Sequence, residues 1–299
     1  MNPVLLPDAE WFDLAPEGEG MGGGVSGGMP GHPGVPGPWR IFLSHPRGVP
    51  PAAGWPVVTL LDANAGFATL VETLRRGAVR PQATGINEAV IVGIGYPEGE
   101  DFRARRSFDF TAGPSAEAGG GSSAPAHDVG GRDRFLAFLE QRVKPEIARR
   151  LPVDPSRHTL FGHSLAGWFA LDVMTRDPHA FAAYVAVSPS IWWDEARLVE
   201  GLTRGKLALA QGAPLRLALM VGEWEQALAP WQAARPEAAE MAARRARRAM
   251  VDRTHAFAGR AAEALAPWGE VRFELMAGED HASILAPAMA RALRFALTA

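Results

Sequence analysis

The sequence predicts an α/β protein with a mainly parallel central sheet and helices on both faces. Short apolar runs alternate with stretches of helical periodicity, and strands that alternate with helices form βαβ units. The chain has 299 residues, of which 47% are apolar, and this length is ample for a large buried core. We therefore expect one α/β domain over residues 1–299.

Each predicted strand is a short apolar run, and each predicted helix carries apolar residues at helical spacing. The predicted strands are Trp39–Leu43, Val57–Leu61, Ala89–Ile94, His158–Phe161, Ala183–Val187, Leu215–Val221 and Val271–Met276. The predicted helices are Ala65–Arg76, Arg132–Arg150, Leu165–Thr175, Pro236–Leu265 and Ile284–Leu297.

Two segments rich in glycine and proline interrupt this pattern. Residues 18–38 are predicted to be a flexible insertion, because no apolar strand precedes them and no helix follows. A second block, Gly113–Gly131, lies within residues 97–131. Long loops in compact enzymes are often lids, so we expect residues 97–131 to form a lid or pocket-rim loop.

Composition and charge exclude several classes of function. The chain has no cysteine, which excludes disulfides, a cysteine nucleophile and thiolate metal sites. Its formal net charge of -3 argues against a nucleic-acid binder. The N-terminal twenty residues lack basic residues, and no apolar run approaches the roughly 18 residues of a spanning helix. We expect a cytoplasmic protein without membrane or nucleic-acid partners; its oligomeric state is not predicted.

The segment Gly162–Gly167, with sequence GHSLAG, lies between the predicted strand His158–Phe161 and a predicted helix. A strand, a sharp turn and a helix with serine at the apex form the nucleophile elbow of α/β hydrolases. Small residues are required two positions before and after the serine, where strand and helix nearly touch. Gly162 and Ala166 occupy these positions, and the alanine adds one methyl group to the usual glycine. Ser164 is therefore the predicted nucleophile.

A serine hydroxyl needs a base to accept its proton, and in this fold the acid and then the histidine follow the serine along the chain. His281 lies in the loop between the last predicted strand and the closing helix, where the base is expected. His255, the other histidine beyond residue 179, is embedded in a predicted helix.

The acid should follow the strand Leu215–Val221, where two carboxylates compete. Glu225 stands three residues after Gly222 and is preferred, with Glu223 as the alternative. Asp194 and Glu195, after the preceding strand, are the third choice.

The oxyanion formed during acyl transfer needs two hydrogen-bond donors, which are usually main-chain amides. One would be the amide of Leu165, directly after the nucleophile. The other is predicted at Asn64 or Ala63, in the loop after the strand Val57–Leu61.

A series of motifs resembles the esterase branch of the α/β hydrolases that includes the enterobactin and salmochelin siderophore esterases. The motifs are LLDANAGF, IVGIGYP, RRSFDFTAGP, TLFGHSLAG, VSPSIWWD, VGEWEQ and GEDHAS, and the similarity runs from about Trp39 to the C-terminus. The resemblance implies ester hydrolysis without metal or organic cofactor, with Ser164 as nucleophile and His281 as base. It also leaves open a serine–histidine dyad that needs no acid.

The same resemblance points to substrate contacts. The family's double arginine appears as Arg105 and Arg106, and the D-Y-T-P stretch that follows it reads Asp109-Phe110-Thr111-Ala112 here. We expect both arginines in a loop beyond a strand end, where they would bind a carboxylate or a ferric catecholate. The alternative is a solvated loop or an ion pair with Asp101 or Asp109.

Two further groups follow later in the chain. Trp192 and Trp193 are candidates for an aromatic wall of the substrate pocket, with packing under the loop as the alternative. A basic run on a predicted helix, Arg244, Arg245, Arg247 and Arg248, is expected to be a solvated face.

The predicted function is a serine hydrolase that cleaves the carboxylic ester bonds of a small molecule through an acyl-enzyme. A siderophore trilactone esterase is the specific form that the resemblance implies. The alternatives are a general carboxylesterase and a non-catalytic binding protein with a hydrolase fold.

Overall fold

A computed structural model describes residues 5–16, 37–99, 102–113, 129–204, 214–266 and 269–298. The predicted insertion at 18–38 lies outside these residues except for its last two. The predicted lid segment is described at 97–99, 102–113 and 129–131 only, and its role as a lid stays a prediction.

Within these described ranges, eight strands form one sheet in the order β1-β2-β4-β3-β5-β6-β7-β8. The strands are β1 Ala9–Leu14, β2 Trp39–Ser44, β3 Trp55–Leu61, β4 Val90–Gly95, β5 Val153–His163, β6 Ala183–Val187, β7 Leu215–Gly222 and β8 Gly269–Met276. The pairs β1–β2 and β2–β4 are antiparallel, and all other neighbours are parallel. This confirms the predicted α/β class with a mainly parallel sheet.

The α-helices are α1 Ala63–Ala78, α2 Pro81–Thr84, α3 Phe102–Phe110, α4 Arg132–Phe138, α5 Lys144–Arg150, α6 Leu165–Arg176, α7 Glu195–Arg204, α8 Ala238–Arg248, α9 Met250–Leu265 and α10 Leu285–Leu297. Alternation along a strand sends neighbouring side chains to opposite faces. In β3, Val57 and Leu61 join a core with Trp168 of α6, whereas Val58 and Leu60 join a second core with Leu70 of α1. The sheet is therefore covered on both faces.

The structure differs from the elements expected from the sequence in several places. The segment holding Arg105 and Arg106 is helix α3, so the expected loop is wrong there; contacts with α4 and α6 stabilise a helix whose arginine-rich sequence shows little apolar periodicity. Strand β1 was not predicted, because it lies at the sheet edge and none of its residues is fully buried. The predicted helix Pro236–Leu265 is divided into α8 and α9 at Ala249, whose φ of 44° is left-handed.

The predicted helix Arg132–Arg150 is helical over its whole length, and Pro145 explains why it is not a regular α-helix throughout. Proline has no main-chain N–H and cannot close the regular hydrogen-bond ladder. Residues Leu139–Val143 form a π-helical turn directly before α5, which carries this proline in its first turn.

The sheet topology brings the loops that carry the predicted site residues to one edge. The register pairs His163 with Val187 and Val187 with Met220, and it pairs Gly222 with Met276. The loops after β5, β6, β7 and β8 consequently start side by side at the carboxyl edge of the sheet.

Candidate active site

Ser164 occupies the sharp turn that the sequence predicts between strand β5 and helix α6. Its φ of 60° and ψ of −121° are strained for a residue with a side chain, and its main-chain N–H donates to the Val187 oxygen at 3.0 Å. A Cβ atom on Gly162 would lie 2.1 Å from the Ala166 oxygen, so glycine is required there. Ala166 is fully buried, and the fold accommodates its methyl group.

His281 lies between Ser164 and Glu225. Its Nε2 atom is 3.0 Å from Ser164 Oγ, and its Nδ1 atom is 2.6 Å from Glu225 Oε2. The chain order is serine, acid and histidine, as in α/β hydrolases. This geometry lets the imidazole accept a proton from the serine while the carboxylate orients the ring.

Glu225 is held by donors from two neighbouring strand ends. Its side chain is buried, and Oε1 accepts the Gly222 main-chain N–H at 2.7 Å and the Ser188 hydroxyl. Ser188 is itself fully buried with a left-handed φ of 46°. The His281 contact occupies the second oxygen, so each oxygen of this buried carboxylate has a hydrogen-bond partner.

The other predicted acids lie elsewhere. Glu223 accepts the Gly278 main-chain N–H at 2.8 Å and so stabilises the loop that precedes His281. Asp194 pairs with Arg197 at 3.0 Å, and Glu195 pairs with Arg253. Of the four candidate carboxylates, Glu225 is the one within hydrogen-bonding distance of His281.

His163 contacts the main chain of His281. Its Nε2 atom is 3.0 Å from the His281 carbonyl oxygen, an arrangement that requires a proton on this nitrogen of His163. Burial, with a smaller contribution from the neighbouring His281, lowers the pKa of His163 to about 3. The ring therefore stays neutral and donates to the loop.

Asp280 fixes the turn around His281 from the other side. Its carboxylate accepts the main-chain N–H groups of Ala282 and Ser283 at 2.9 and 3.1 Å and the Gln232 amide at 2.9 Å. Partial burial acts to raise the pKa of Asp280, but these hydrogen bonds together outweigh it, and the pKa of this carboxyl lies below its usual value. The loop that carries His281 is thus held by several hydrogen bonds that do not involve the side chains of Ser164, His281 or Glu225.

Leu165 begins helix α6, where main-chain N–H groups have no partner within the helix. At the second predicted donor, α1 begins at Ala63 after Asp62, whose φ is 54°. The Asn64 side chain donates to the Tyr96 oxygen at 2.9 Å and accepts the Tyr96 N–H at 2.8 Å. Because the Asn64 side chain already binds the main chain of Tyr96, the main-chain N–H groups of Ala63 and Asn64 are the remaining candidates for binding an oxyanion.

The three central side chains border a cavity of about 370 Å³. Its lining includes Trp192 and Trp193 and four arginines, which are Arg106, Arg244, Arg245 and Arg248, together with Leu165 and Ser190. Ala63 and Asn64 are not part of the lining. A larger groove of about 980 Å³ runs between α1, α2 and α10. No histidine among the described residues lines this groove, so we place the chemistry in the smaller cavity.

Arg105 and Arg106, which are adjacent on α3, lie in different surroundings. Arg106 lines the cavity and forms a two-pronged ion pair with Asp62, with Nη2–Oδ2 at 2.7 Å and Nε–Oδ2 at 3.1 Å. Asp62, rather than either predicted aspartate, is thus its partner. Arg105 lies 5.3 Å from the rings of both Trp39 and Tyr96, outside the cavity lining.

Asp101 lies outside the described residues, and Asp109 is a buried residue of helix α3 itself. Asp109 accepts the indole N–H of Trp39 at 2.7 Å. Burial raises the pKa of Asp109 to about 6, against the opposing effect of Arg105. This carboxyl group therefore belongs to the support of α3 and not to the cavity.

The tryptophans both line the cavity and pack beneath it. They lie in a 3₁₀ turn, Ile191–Trp193, with ring centroids 5.9 Å apart at 63°. Trp193 is buried and Trp192 is half-buried. Both tryptophans therefore line the cavity and also pack under its loop, and their contact with a substrate stays a prediction.

The expectation of a solvated face on helix α8 is confirmed for Arg244 and Arg247, which are exposed, whereas Arg245 and Arg248 are half-buried. Arg244, Arg245 and Arg248 line the cavity, and the guanidinium of Arg248 lies 4.2 Å from the Trp192 ring centroid. Arg247 is exposed and lies outside the lining. A continuous helix over 236–265 was expected, and the break at Ala249 that separates α8 from α9 was not visible in the pattern.

Sequence reasoning missed Ser188 and Ser190 as site residues. Ser188 binds Glu225, and Ser190 Oγ is 3.4 Å from Ser164 Oγ. The available signal was a Ser-Pro-Ser sequence directly after a buried strand, next to the strand that carries the nucleophile. Polar residues at that edge of a parallel sheet are candidates for ligand contacts.

Within the ranges given above, no three histidine, aspartate or glutamate side chains are grouped in a way that would hold a metal ion. None of the helices in these ranges combines the length and the apolar character needed to cross a membrane.

Comparison with known proteins places this site in context. The family model described as "Putative esterase" matches residues 35–276. The chain is 37% identical over 265 residues to the ferri-bacillibactin esterase BesA of Bacillus subtilis, covering 87% of this chain and 84% of the relative. It is 34% identical over 278 residues to a siderophore enterobactin esterase of Emericella nidulans, covering 87% and 89%.

A solved structure has the same architecture. The crystal structure of the BES protein from Bacillus cereus superposes with a TM-score of 0.79 at 27% identity, covering 99% of this chain and 97% of that one. The fold, the order of the site residues along the chain and the relatives agree on an α/β hydrolase.

Proposed function

The chain belongs to the "Putative esterase" family and is a carboxylic ester hydrolase, and from this premise we propose that it opens the trilactone ring of a catecholate siderophore. Ser164 is the nucleophile, His281 the base and Glu225 the residue that orients the base. The observation that carries this proposal is the continuous contact from Ser164 Oγ through the His281 ring to the buried Glu225 carboxylate.

In the first half of the reaction, Ser164 Oγ attacks the ester carbonyl carbon while its proton passes to His281 Nε2. The carboxylate of Glu225 accepts the Nδ1–H and stabilises the imidazolium that forms. The tetrahedral intermediate then collapses. The bond from carbon to the alkoxy oxygen breaks, and the leaving alcohol takes the proton from His281.

The negative oxygen of the intermediate is stabilised by main-chain donors. Leu165 contributes an N–H from the first turn of α6, where the helix dipole also favours a negative charge. The second donor is the main-chain N–H of Ala63 or Asn64. Arg106 supports this position, because it lines the cavity and binds Asp62, the residue directly before Ala63.

In the second half, a water molecule attacks the acyl-enzyme and gives its proton to His281. The bond to Ser164 Oγ breaks, the serine recovers its proton, and a carboxylic acid leaves. The sum is one ester and one water giving one acid and one alcohol. A trilactone offers three such bonds.

The substrate class is supported by the relatives. One is described as acting on ferri-bacillibactin and another is described as an enterobactin esterase, and each aligns with 87% of this chain. The cavity also offers what a catechol amide requires, since aromatic faces from Trp192 and Trp193 stack on planar rings. The predicted cytoplasmic location remains a prediction.

The proposal is tested with purified wild-type protein and Ser164→Ala on p-nitrophenyl butyrate and on enterobactin with and without iron. Loss of the nucleophile should lower kcat on every ester by about 10⁴-fold or more. Mass spectrometry of the products should show linear trimer, dimer and monomer from enterobactin. A fluorophosphonate should label the wild type and not the variant.

Ser190→Ala is the matched control, because its hydroxyl lies in the same cavity and is 3.4 Å from Ser164 Oγ. We expect this variant to keep fluorophosphonate labelling. Turnover of p-nitrophenyl butyrate without any opening of enterobactin would refute the siderophore assignment and leave a general carboxylesterase. Folded wild-type protein that neither labels nor turns over any ester would refute the catalytic role itself.

A further inference from the structure

The four arginines of the cavity differ in how their charges are compensated. Arg106 is paired with Asp62 at 2.7 Å. Arg245 lies 3.7 Å from Asp280 and also donates to the Gln232 side chain at 2.8 Å. For Arg244 and Arg248, no carboxylate among the described residues lies within ion-pair distance.

The positive charges of Arg244 and Arg248 repel each other in the folded chain. They are four residues apart on α8, so they share one helix face, and like charges at this spacing destabilise a helix. Partial burial lowers the pKa of Arg248, and the positive charges of Arg244 and Arg247 lower it further. The side of the cavity that Arg244 and Arg248 line is therefore positively charged, and no carboxylate among the described residues neutralises these two arginines.

The indole ring of Trp192 lies against the guanidinium group of Arg248. The Arg248 guanidinium lies 4.2 Å from its ring centroid, so an aromatic face and a planar cation are placed together at the cavity. A ligand that contacts both would present an anionic oxygen and a flat ring. Catecholate has both properties, because its two oxygens are directly attached to an aromatic ring.

We propose that Arg244, Arg248 and Trp192 form a cationic wall that binds the iron-loaded substrate in preference to the metal-free one. The inference rests on the siderophore function proposed above. Three doubly deprotonated catechols around Fe³⁺ leave a trianion, whereas the metal-free triester is close to neutral because its catechols are protonated. The wall thus distinguishes two forms of one ester by charge.

The experiment compares wild type with Arg244→Gln/Arg248→Gln on ferric enterobactin, metal-free enterobactin and p-nitrophenyl butyrate. The expected result is a fall of about tenfold or more in kcat/KM for the ferric complex relative to p-nitrophenyl butyrate, mainly through KM. The ratio for metal-free enterobactin should change much less. Raising the salt concentration should reduce the wild-type preference for the ferric complex, because salt screens exposed charges.

Two further variants separate charge from structure. Arg247→Gln removes an equal charge from the same helix outside the cavity lining, and we expect it to keep the wild-type preference. Arg244→Lys/Arg248→Lys retains the charge and should restore part of the preference. An equal loss on all three esters, or an equal effect of Arg247→Gln, would overturn the proposal.

A binding measurement distinguishes failure of the wall from failure of the siderophore assignment. A ferric triscatecholamide, whose arms are joined by amide bonds, cannot be hydrolysed by an esterase but carries the same trianion. It should inhibit p-nitrophenyl butyrate hydrolysis competitively in the wild type, and about tenfold more weakly in the double glutamine variant. If enterobactin is not opened but this inhibition depends on the arginines, the wall stands and the trilactone assignment falls. Inhibition that is absent, or independent of the arginines, refutes the wall.

Discussion

The catalytic cluster (Ser164, Glu225 and His281) and the cationic wall (Arg244, Arg248 and Trp192) border one cavity but are built differently. The cluster lies on loops at the carboxyl edge of neighbouring parallel strands, and its hydrogen-bonding groups are paired with one another or with Gly222 and Ser188. The wall lies on helix α8 and a 3₁₀ turn. Neither of its two arginines has a carboxylate partner among the described residues.

This difference indicates a division of roles. The reacting groups need a fixed geometry, which the strand register and the bonds behind His281 provide. Substrate selection instead needs unsatisfied charge that a ligand can compensate. Changes in the cluster should therefore impair all esters alike, and changes in the wall should impair anionic ones selectively.

The largest effect is expected for Glu225→Gln. With its amide oxygen facing the Gly222 N–H and the Ser188 hydroxyl, the glutamine would direct its NH₂ group at His281 Nδ1. That contact favours the tautomer with a proton on Nε2, which cannot accept the serine proton. We expect kcat to fall by about 10³-fold or more on p-nitrophenyl butyrate and on ferric enterobactin alike.

Glu223→Gln is the control for this change. Its amide oxygen can still accept the Gly278 N–H, so kcat should stay within about threefold of wild type. A loss of less than tenfold for Glu225→Gln would favour a serine–histidine dyad. A loss on the ferric complex alone would remove the proposed division between cluster and wall.

The second-largest effect concerns the support of the cluster. In Gly162→Ala the new Cβ atom would lie 2.1 Å from the main-chain oxygen of Ala166, so strand β5 and helix α6 would have to separate. We expect the free energy of unfolding to fall by about 3 kcal/mol or more, measured by urea denaturation.

Gly259→Ala makes the same substitution in the exposed interior of helix α9, where nothing lies within 4 Å of the new Cβ atom. Because alanine favours helix, this control should stabilise the protein by about 0.5–1 kcal/mol. Similar free energies for the two variants would contradict the close packing of the elbow.

The catalytic cluster could be predicted from the sequence because its signals are local. A strand, a turn and a helix around Ser164 are consecutive, and His281 and Glu225 each follow a recognisable apolar run. The preference for Glu225 rested on its spacing after Gly222, and the structure places it against His281. The contribution of Ser188 could not be predicted, since it depends on the register that sets β6 beside β7.

The cationic wall was not predicted, for a physical reason. Basic residues on a helix usually face solvent, and the sequence contains no signal for the position of α8 relative to the sheet. That position depends on tertiary contacts and on the left-handed conformation of Ala249, a residue type that rarely adopts it. Helix α3 was missed similarly, because Arg106 is stabilised by Asp62, 44 residues earlier in the chain.

The smallest predicted effect is a pH dependence of stability at His163, on the cluster side of the cavity. Its pKa of about 3 in the folded protein lies below the ordinary histidine value of about 6.5. Between these values the unfolded chain binds a proton that the folded chain does not, so stability decreases as the pH falls below about 6.5. At pH 5 this one residue should cost the wild type about 2 kcal/mol relative to pH 7.5.

His163→Gln removes this pH dependence of stability, while the glutamine amide can still donate to the His281 carbonyl oxygen. The unfolding free energy of the variant minus that of wild type should therefore rise by about 2 kcal/mol between pH 7.5 and pH 5. His158 has a pKa lowered to about 4 by burial, and Asp109 has one raised to about 6, but both are present in each protein and cancel in the difference. A difference that is constant with pH would show that His163 is not held neutral behind His281, and the fixed geometry attributed to the catalytic cluster would lose one of its supports.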